Sequence, residues 1–396
     1  MPIEGVRRPA WAEISRGALA HNVAALQKVV GAAAICGVVK ANGYGHGAPL
    51  AATTLARAGT AGLAVAIFDE GVELREAGLT DPILLLAETP ADTVRDAFEW
   101  QLTLTVGSLD GAKKIREASK KLGGRNRVHV KIDTGMHRMG IAPDELNSVL
   151  EILSSTPSLV IEGLYTHFSV ADSSADADRD YCRYQLRVFD DALARASALG
   201  VNPEVIHTAN SAAALALPEA RRTMVRFGLA LYGYLPDPAL ANVLSDAGVT
   251  LRPAMSLHAL VTAVRSLTEG ERPSYGRRRA LSGPATVATV PFGYADGYPR
   301  RLFDAGSYVL INSQRYALAG AVTMDQLVID CDGGDVHVGD PVCCSEPKVE
   351  KQFRPNSGPR GPAPLRGKSC AALVLACRAS LLTNGCESVD PRVRLH

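Results

Sequence analysis

Eight short apolar runs, each set off from the next by a helix-sized amphipathic stretch, constrain this chain more than any other feature it has. The runs are 34–40, 62–67, 82–87, 102–106, 128–133, 160–167, 204–208 and 224–228. Before the first of them, Leu19, Val23, Leu26 and Val30 recur at helical spacing and Gly31 ends the pattern. Eight strands alternating with helices fit a closed parallel barrel of the (β/α)8, TIM type. The competing reading, a doubly wound open sheet, usually has fewer strands, and no GxGxxG loop follows a strand here. After Pro236 the pattern changes. Segments 251–268, 285–291, 308–312, 316–322 and 326–331 are rich in β-branched residues and bounded by Gly, Asp, Asn or Ser, which predicts a mostly-β domain. The expected organisation is α/β: a barrel over 1–236, a β domain over 237–342, and an atypical tail over 343–396.

Composition narrows the function classes. The net charge is +1 over 396 residues, so nothing points to nucleic acid or a membrane surface as a partner. No apolar run is long enough to span a bilayer, and residues 1–13 do not read as a signal peptide. A cytoplasmic protein is the expectation. The eight cysteines show no CxxC spacing, and neither a zinc site nor a disulfide framework is expected.

The run 34–40 ends on Lys40, and the chain continues Ala41-Asn42-Gly43-Tyr44-Gly45-His46-Gly47. A lysine closing a buried strand is costly to desolvate, so it is either a rim residue or has a task. Strand ends at the C-terminal mouth of a barrel are where catalytic residues sit. Desolvation lowers a lysine pKa and supplies the neutral amine that attacks an aldehyde. The glycines let backbone approach a ligand, and Tyr44 could donate to a phosphate. Spacing alone leaves the rim lysine and the catalytic lysine level.

The string 38–47 resembles the cofactor-lysine motif of alanine racemases. Further strings are similar to the family's motifs in order: 8–14, 131–140, 165–168, 207–211, 225–229, 274–276, 293–300 and 324–326. The resemblance implies a pyridoxal 5'-phosphate enzyme that interconverts L- and D-alanine by two-base proton transfer and supplies D-alanine for peptidoglycan. Lys40 would carry the cofactor and act as the base for D-alanine. Tyr275, from the partner subunit of a head-to-tail homodimer, would be the base for L-alanine. The phosphate would meet Tyr44, Ser211, Gly228 and Leu229. Arg226, supported by His167, would face the ring nitrogen. Arg138 and the backbone of the partner's Met324 would take the substrate carboxylate. Asp172, Tyr294 and Arg300 would line a narrow access channel, and Lys131 resembles a lysine that some members carry carbamylated. Residues 8–15 would pair with the β domain. The alternative is a cofactor-binding barrel protein whose altered C-terminus disables racemisation; a decarboxylase of the same barrel type is contradicted by an arginine at position 226.

Three departures stand out. Thr323 replaces a common cysteine, and Ala321 replaces an arginine of the channel. The third is the tail: 343–396 carries nine Lys and Arg against four acids, while 1–342 carries 33 against 37. Proline clusters between Pro347 and Pro364, so low order is expected over 346–367. Residues 368–378 can be back-translated so that another frame reads ILCRTGARVP, similar to the family's ending. A change of reading frame near Cys343 is therefore the expectation for this segment.

Overall fold

The computed structural model describes residues 8–344 and the backbone of 392–394. Two units divide the chain: Gly17–Arg252, and Met1–Arg16 with Pro253–His396. The N-terminal strand β1 (Ala10–Ile14) belongs to the second unit.

The first unit is the barrel. Its strands are β2 (Ala34–Val38), β3 (Gly62–Val65), β4 (Ile83–Glu88), β5 (Thr103–Val106), β6 (Asn126–Lys131), β7 (Leu159–Tyr165), β8 (Val205–His207) and β9 (Met224–Phe227). Each of the eight overlaps one expected run, with bounds that differ by one to two residues at most of the ends. They pair in parallel in the order β8-β7-β6-β5-β4-β3-β2-β9. The two ends meet where the Arg226 N–H donates to the Ala209 carbonyl at 3.0 Å and the Thr223 N–H to that of Ile206 at 3.1 Å, so the sheet nearly closes on itself. Parallel strands buried on both faces read as unbroken apolar runs, and this is why they were legible. Helix Arg16–Val30 buries Leu19, Val23, Leu26 and Val30, each worth about 1.5–3 kcal/mol of apolar burial. The segment after Pro236 stays with the barrel as far as Arg252. Asn22, wholly buried, donates to the carbonyls of Leu231 and Arg252 and accepts the Arg252 N–H at 2.7 Å.

The second unit is a nine-stranded antiparallel sheet. It comprises β1, β10 (Met255–Leu260), β11 (Ala263–Leu267), β12 (Ala285–Val290), β13 (Tyr308–Ile311), β14 (Gln314–Leu318), β15 (Leu327–Asp330), β16 (Pro341–Cys343) and β17 (Arg392–Arg394). Strand β1 pairs with β10 from Ala10↔Ala259 to Ile14↔Met255, and its other edge carries β17. Two expected strands are corrected. Segment 251–268 is two strands, broken at Val261–Thr262. Segment 316–322 ends earlier, at Leu318, and begins earlier, at Gln314, because Asn312 and Ser313 both adopt left-handed backbone (φ 49° and 68°) and turn the chain tightly into β14. Residues 345–391, with the low order and the frame change expected there, lie outside the described residues. Among the described residues no helix is long and apolar enough to cross a membrane.

Candidate active site

Strand register builds one part of the site. Lys131, Tyr165 and His207 are ladder neighbours on β6, β7 and β8, so their side chains form one layer. The Tyr165 ring stacks on His207 at 4.5 Å and 9°, with the Lys131 ammonium 5.6 Å and the Arg226 guanidinium 5.2 Å from its centroid. Arg226 is 3 % exposed. Among the described residues its partners are neutral: it donates to Nδ1 of His207 (2.8 Å) and of His167 (3.1 Å), and to the carbonyls of Thr166, His207 and Thr208. A buried cation without a carboxylate is expensive, so the arrangement leaves positive charge to be answered by something bound.

The neighbouring titrations share that cause. Burial, then Arg226 and Arg138, hold Lys131 down at about 8. Burial and the Arg138 charge lower Lys40, against an opposing pull from Glu70. Burial and then the surrounding cations push His167 well below its ordinary value, and burial with Arg226 does the same to His207; both imidazoles are neutral. Lys40, Lys131, Arg138 and Arg226 thus bias one site toward anions and toward a neutral amine.

Beyond β2 the chain makes a left-handed turn. Ala41, Asn42, Gly43 and Tyr44 all have φ between 53° and 61°, at a cost of about 1–2 kcal/mol for a residue such as alanine. Glu70 holds the turn: its carboxylate accepts the N–H of Ala41 at 2.6 Å and that of Ala66 at 2.7 Å. Asn42 Oδ1 accepts the Ala48 N–H. The turn brings the Tyr44 hydroxyl against Gly228, where an added Cβ would come within 2.3 Å of it. Ser211 Oγ accepts the Gly228 N–H at 3.0 Å, and Leu229 opens the following 3-10 turn. Two hydroxyls around a backbone that has no side chain fit a phosphate. Arg138 and Asp172 are exposed on loops of the same unit.

In the sheet unit a second group forms. Tyr275, Met324 and Tyr294 are 67 %, 52 % and 40 % exposed, unusual for such side chains. They stand on loops tied together: Ser274 Oγ donates to the Ala321 carbonyl at 2.6 Å, and the Tyr294 and Ala295 N–H groups donate to the carbonyls of Thr323 and Met324. Thr323 brackets Met324, its hydroxyl donating to the Gln326 carbonyl and accepting the Gln326 N–H. Arg300 is exposed nearby in sequence. Sequence reasoning overlooked Arg8–Asp296, which anchors this loop group; His207, His129 and Glu70 were also missed, since a histidine or glutamate inside a patterned stretch carries no mark of its partner.

The alanine racemase N-terminal domain model matches residues 14–236, and the C-terminal domain model matches 254–355. The chain belongs to the alanine racemase family. The alanine racemase of Desulforamulus reducens is 42% identical over 82% of this chain and 86% of its own length. That of Clostridium novyi is 38% identical over 85% of both. Among solved structures, alanine racemase from D-cycloserine-producing Streptomyces lavendulae is 35% identical with a TM-score of 0.79, covering 86% of this chain and 88% of that one. The Bacillus anthracis enzyme with bound L-Ala-P is 31% identical with a TM-score of 0.79, covering 98% of each. The chain is an alanine racemase in activity, interconverting L- and D-alanine, and the family is pyridoxal-phosphate dependent. Nothing found favours a barrel protein lacking that activity.

Proposed function

We propose that this family member binds pyridoxal 5'-phosphate through Lys40 and racemises alanine with two bases, Lys40 and the partner subunit's Tyr275. The observation that carries the reading is the buried Arg226, held among the described residues by neutral groups alone, in a site shared with the pKa-lowered Lys40 and Lys131. When bound, the cofactor acidifies the α-proton of an attached amino acid by spreading charge into its ring. The residues supply the rest. Tyr44, Ser211 and the backbone at Gly228 and Leu229 hold the phosphate. Arg226 can only donate, so it leaves a facing ring nitrogen unprotonated, and His167 fixes its orientation. Lys40 serves one face of the α-carbon and Tyr275 the other. Arg138 and the partner's Met324 backbone take the carboxylate, while Asp172, Tyr294 and Arg300 line the access channel. The exposed Tyr275 and Met324 support a head-to-tail homodimer with composite sites. A cytoplasmic role supplying D-alanine to the cell wall completes the reading.

Tyr275→Phe tests it. Racemisation falls in both directions, by about 10²–10⁴-fold as for loss of a general base. In deuterated water D-alanine still exchanges its α-proton with retention, through Lys40, and L-alanine does not. Equal exchange from both enantiomers would sink the two-base assignment.

Lys131 is part of the same proposal. With its pKa at about 8, a substantial neutral fraction is present near that pH, and a neutral amine is the form that adds carbon dioxide. Conversion to a carbamate replaces a buried cation by an anion facing Arg138. In 13C-bicarbonate at pH 8 we expect one carbamate resonance, absent from Lys131→Ala; an unchanged spectrum in both proteins refutes the modification.

A further inference from the structure

The support of Arg226 does not end at the two imidazoles that touch it. His207 Nε2 lies 2.8 Å from His129 Nδ1, and His129 Nε2 lies 3.3 Å from Glu162 Oε2. The other Glu162 oxygen accepts from Arg127 at 2.8 Å. His207 and His129 are buried, whereas the Glu162 side chain is 21 % exposed. Gly163, the ladder partner of His129, makes the contact sterically feasible: a Cβ there would lie 2.7 Å from His129 Nδ1.

Hydrogen-bond chemistry permits only one polarity along this chain. Arginine donates and cannot accept, so His207 Nδ1 must present a lone pair and its proton must sit on Nε2. That proton is donated to His129 Nδ1, which therefore also presents a lone pair. The His129 proton is then on Nε2 and is donated to the Glu162 carboxylate. Each link requires the next, and the sequence ends on the only acceptor-only group it contains.

We propose that Glu162 is a positioning residue for Arg226, setting the His207 tautomer that receives the Arg226 N–H by anchoring the far end of a Glu162–His129–His207 relay. Its consequence for catalysis rests on Arg226 facing the cofactor ring, as proposed above; the relay itself does not. Without the carboxylate, His129 can place its proton on either nitrogen. Any Nδ1–H form faces the His207 Nε2–H, and relieving that clash turns His207 against Arg226.

Side-chain 15N spectra of histidine-labelled protein, recorded cofactor-free and cofactor-loaded, read the tautomers directly. We expect His129 and His207 both as neutral Nε2–H forms in the parent protein. Glu162→Ala mixes the His129 tautomers, moves the His207 Nδ1 signal, and lowers kcat about tenfold, as outer-shell losses do. The KM for alanine changes less than about twofold. Glu162→Gln, whose amide oxygen still accepts from His129, restores both the spectra and most of kcat. A parent His207 protonated on Nδ1, identical spectra for Glu162→Ala and parent, or no recovery in Glu162→Gln overturns the assignment. The cofactor-free spectra decide it even if the role given to the cofactor fails.

Discussion

Lys40→Ala, given pyridoxal phosphate, is expected to lose the absorbance of a covalently held cofactor and about 10³–10⁴-fold or more of its racemisation rate. On the proposed assignment the variant removes the attachment point and one of two bases together, while the proposed phosphate and ring contacts at Tyr44, Ser211, Gly228 and Arg226 remain, so non-covalent binding is expected to persist. A small amine such as methylamine should restore part of the activity. The pH dependence of that rescue carries the sharper test. In the parent, burial and the Arg138 charge lower the Lys40 pKa, so the neutral amine is available at a lower pH than for a free alkylamine. Rescue by methylamine, which is neutralised only at its own higher pKa, must therefore rise to higher pH than the parent profile does. A variant that still carried the cofactor covalently, or a rescue profile superposed on the parent's, would contradict the role given to Lys40.

The second large effect is on stability and lies in the sheet unit. Asp296, 4 % exposed, accepts from both terminal Arg8 guanidinium nitrogens, Nη1 and Nη2, at 2.6 Å and accepts the Gly293 N–H at 2.9 Å. Arg8 also donates to the Asp325 carbonyl, so this bridge joins the start of the described chain to the loops that carry Tyr294 and Met324. Asp296→Ala leaves a guanidinium and an amide N–H without their acceptor. The expected cost is about 3 kcal/mol, the lower end for breaking a buried pair because Arg8 keeps some solvent, or roughly 6–12 °C in the melting temperature of this unit. Asp296→Asn, which can still accept from Gly293, should lose less. A melting temperature unchanged in Asp296→Ala would show that the pair does not hold the loops.

Some of this was readable from residues alone and some was not. Barrel strands such as 34–40 and 224–228 stood out because both of their faces are buried. The β14 boundary did not, because it depends on left-handed backbone at Asn312 and Ser313, a conformation serine rarely adopts. The left-handed turn after Lys40 was hidden for a related reason: alanine at position 41 disfavours it, and the carboxylate that compensates sits 29 residues on, at Glu70. Position 323, where the family commonly has cysteine, brackets Met324 through its hydroxyl.

The motifs from Lys40 to Met324 and the alternation of runs belonged to the sequence by itself, since each is a matter of local spacing and residue type. That His207 would meet Arg226 beside the expected His167, and that His129 would pass the contact to Glu162, was decided only by tertiary structure. Strand register brings positions 129, 162, 207 and 226 together across the barrel, and a donor-only arginine then dictates where each neighbouring imidazole keeps its proton.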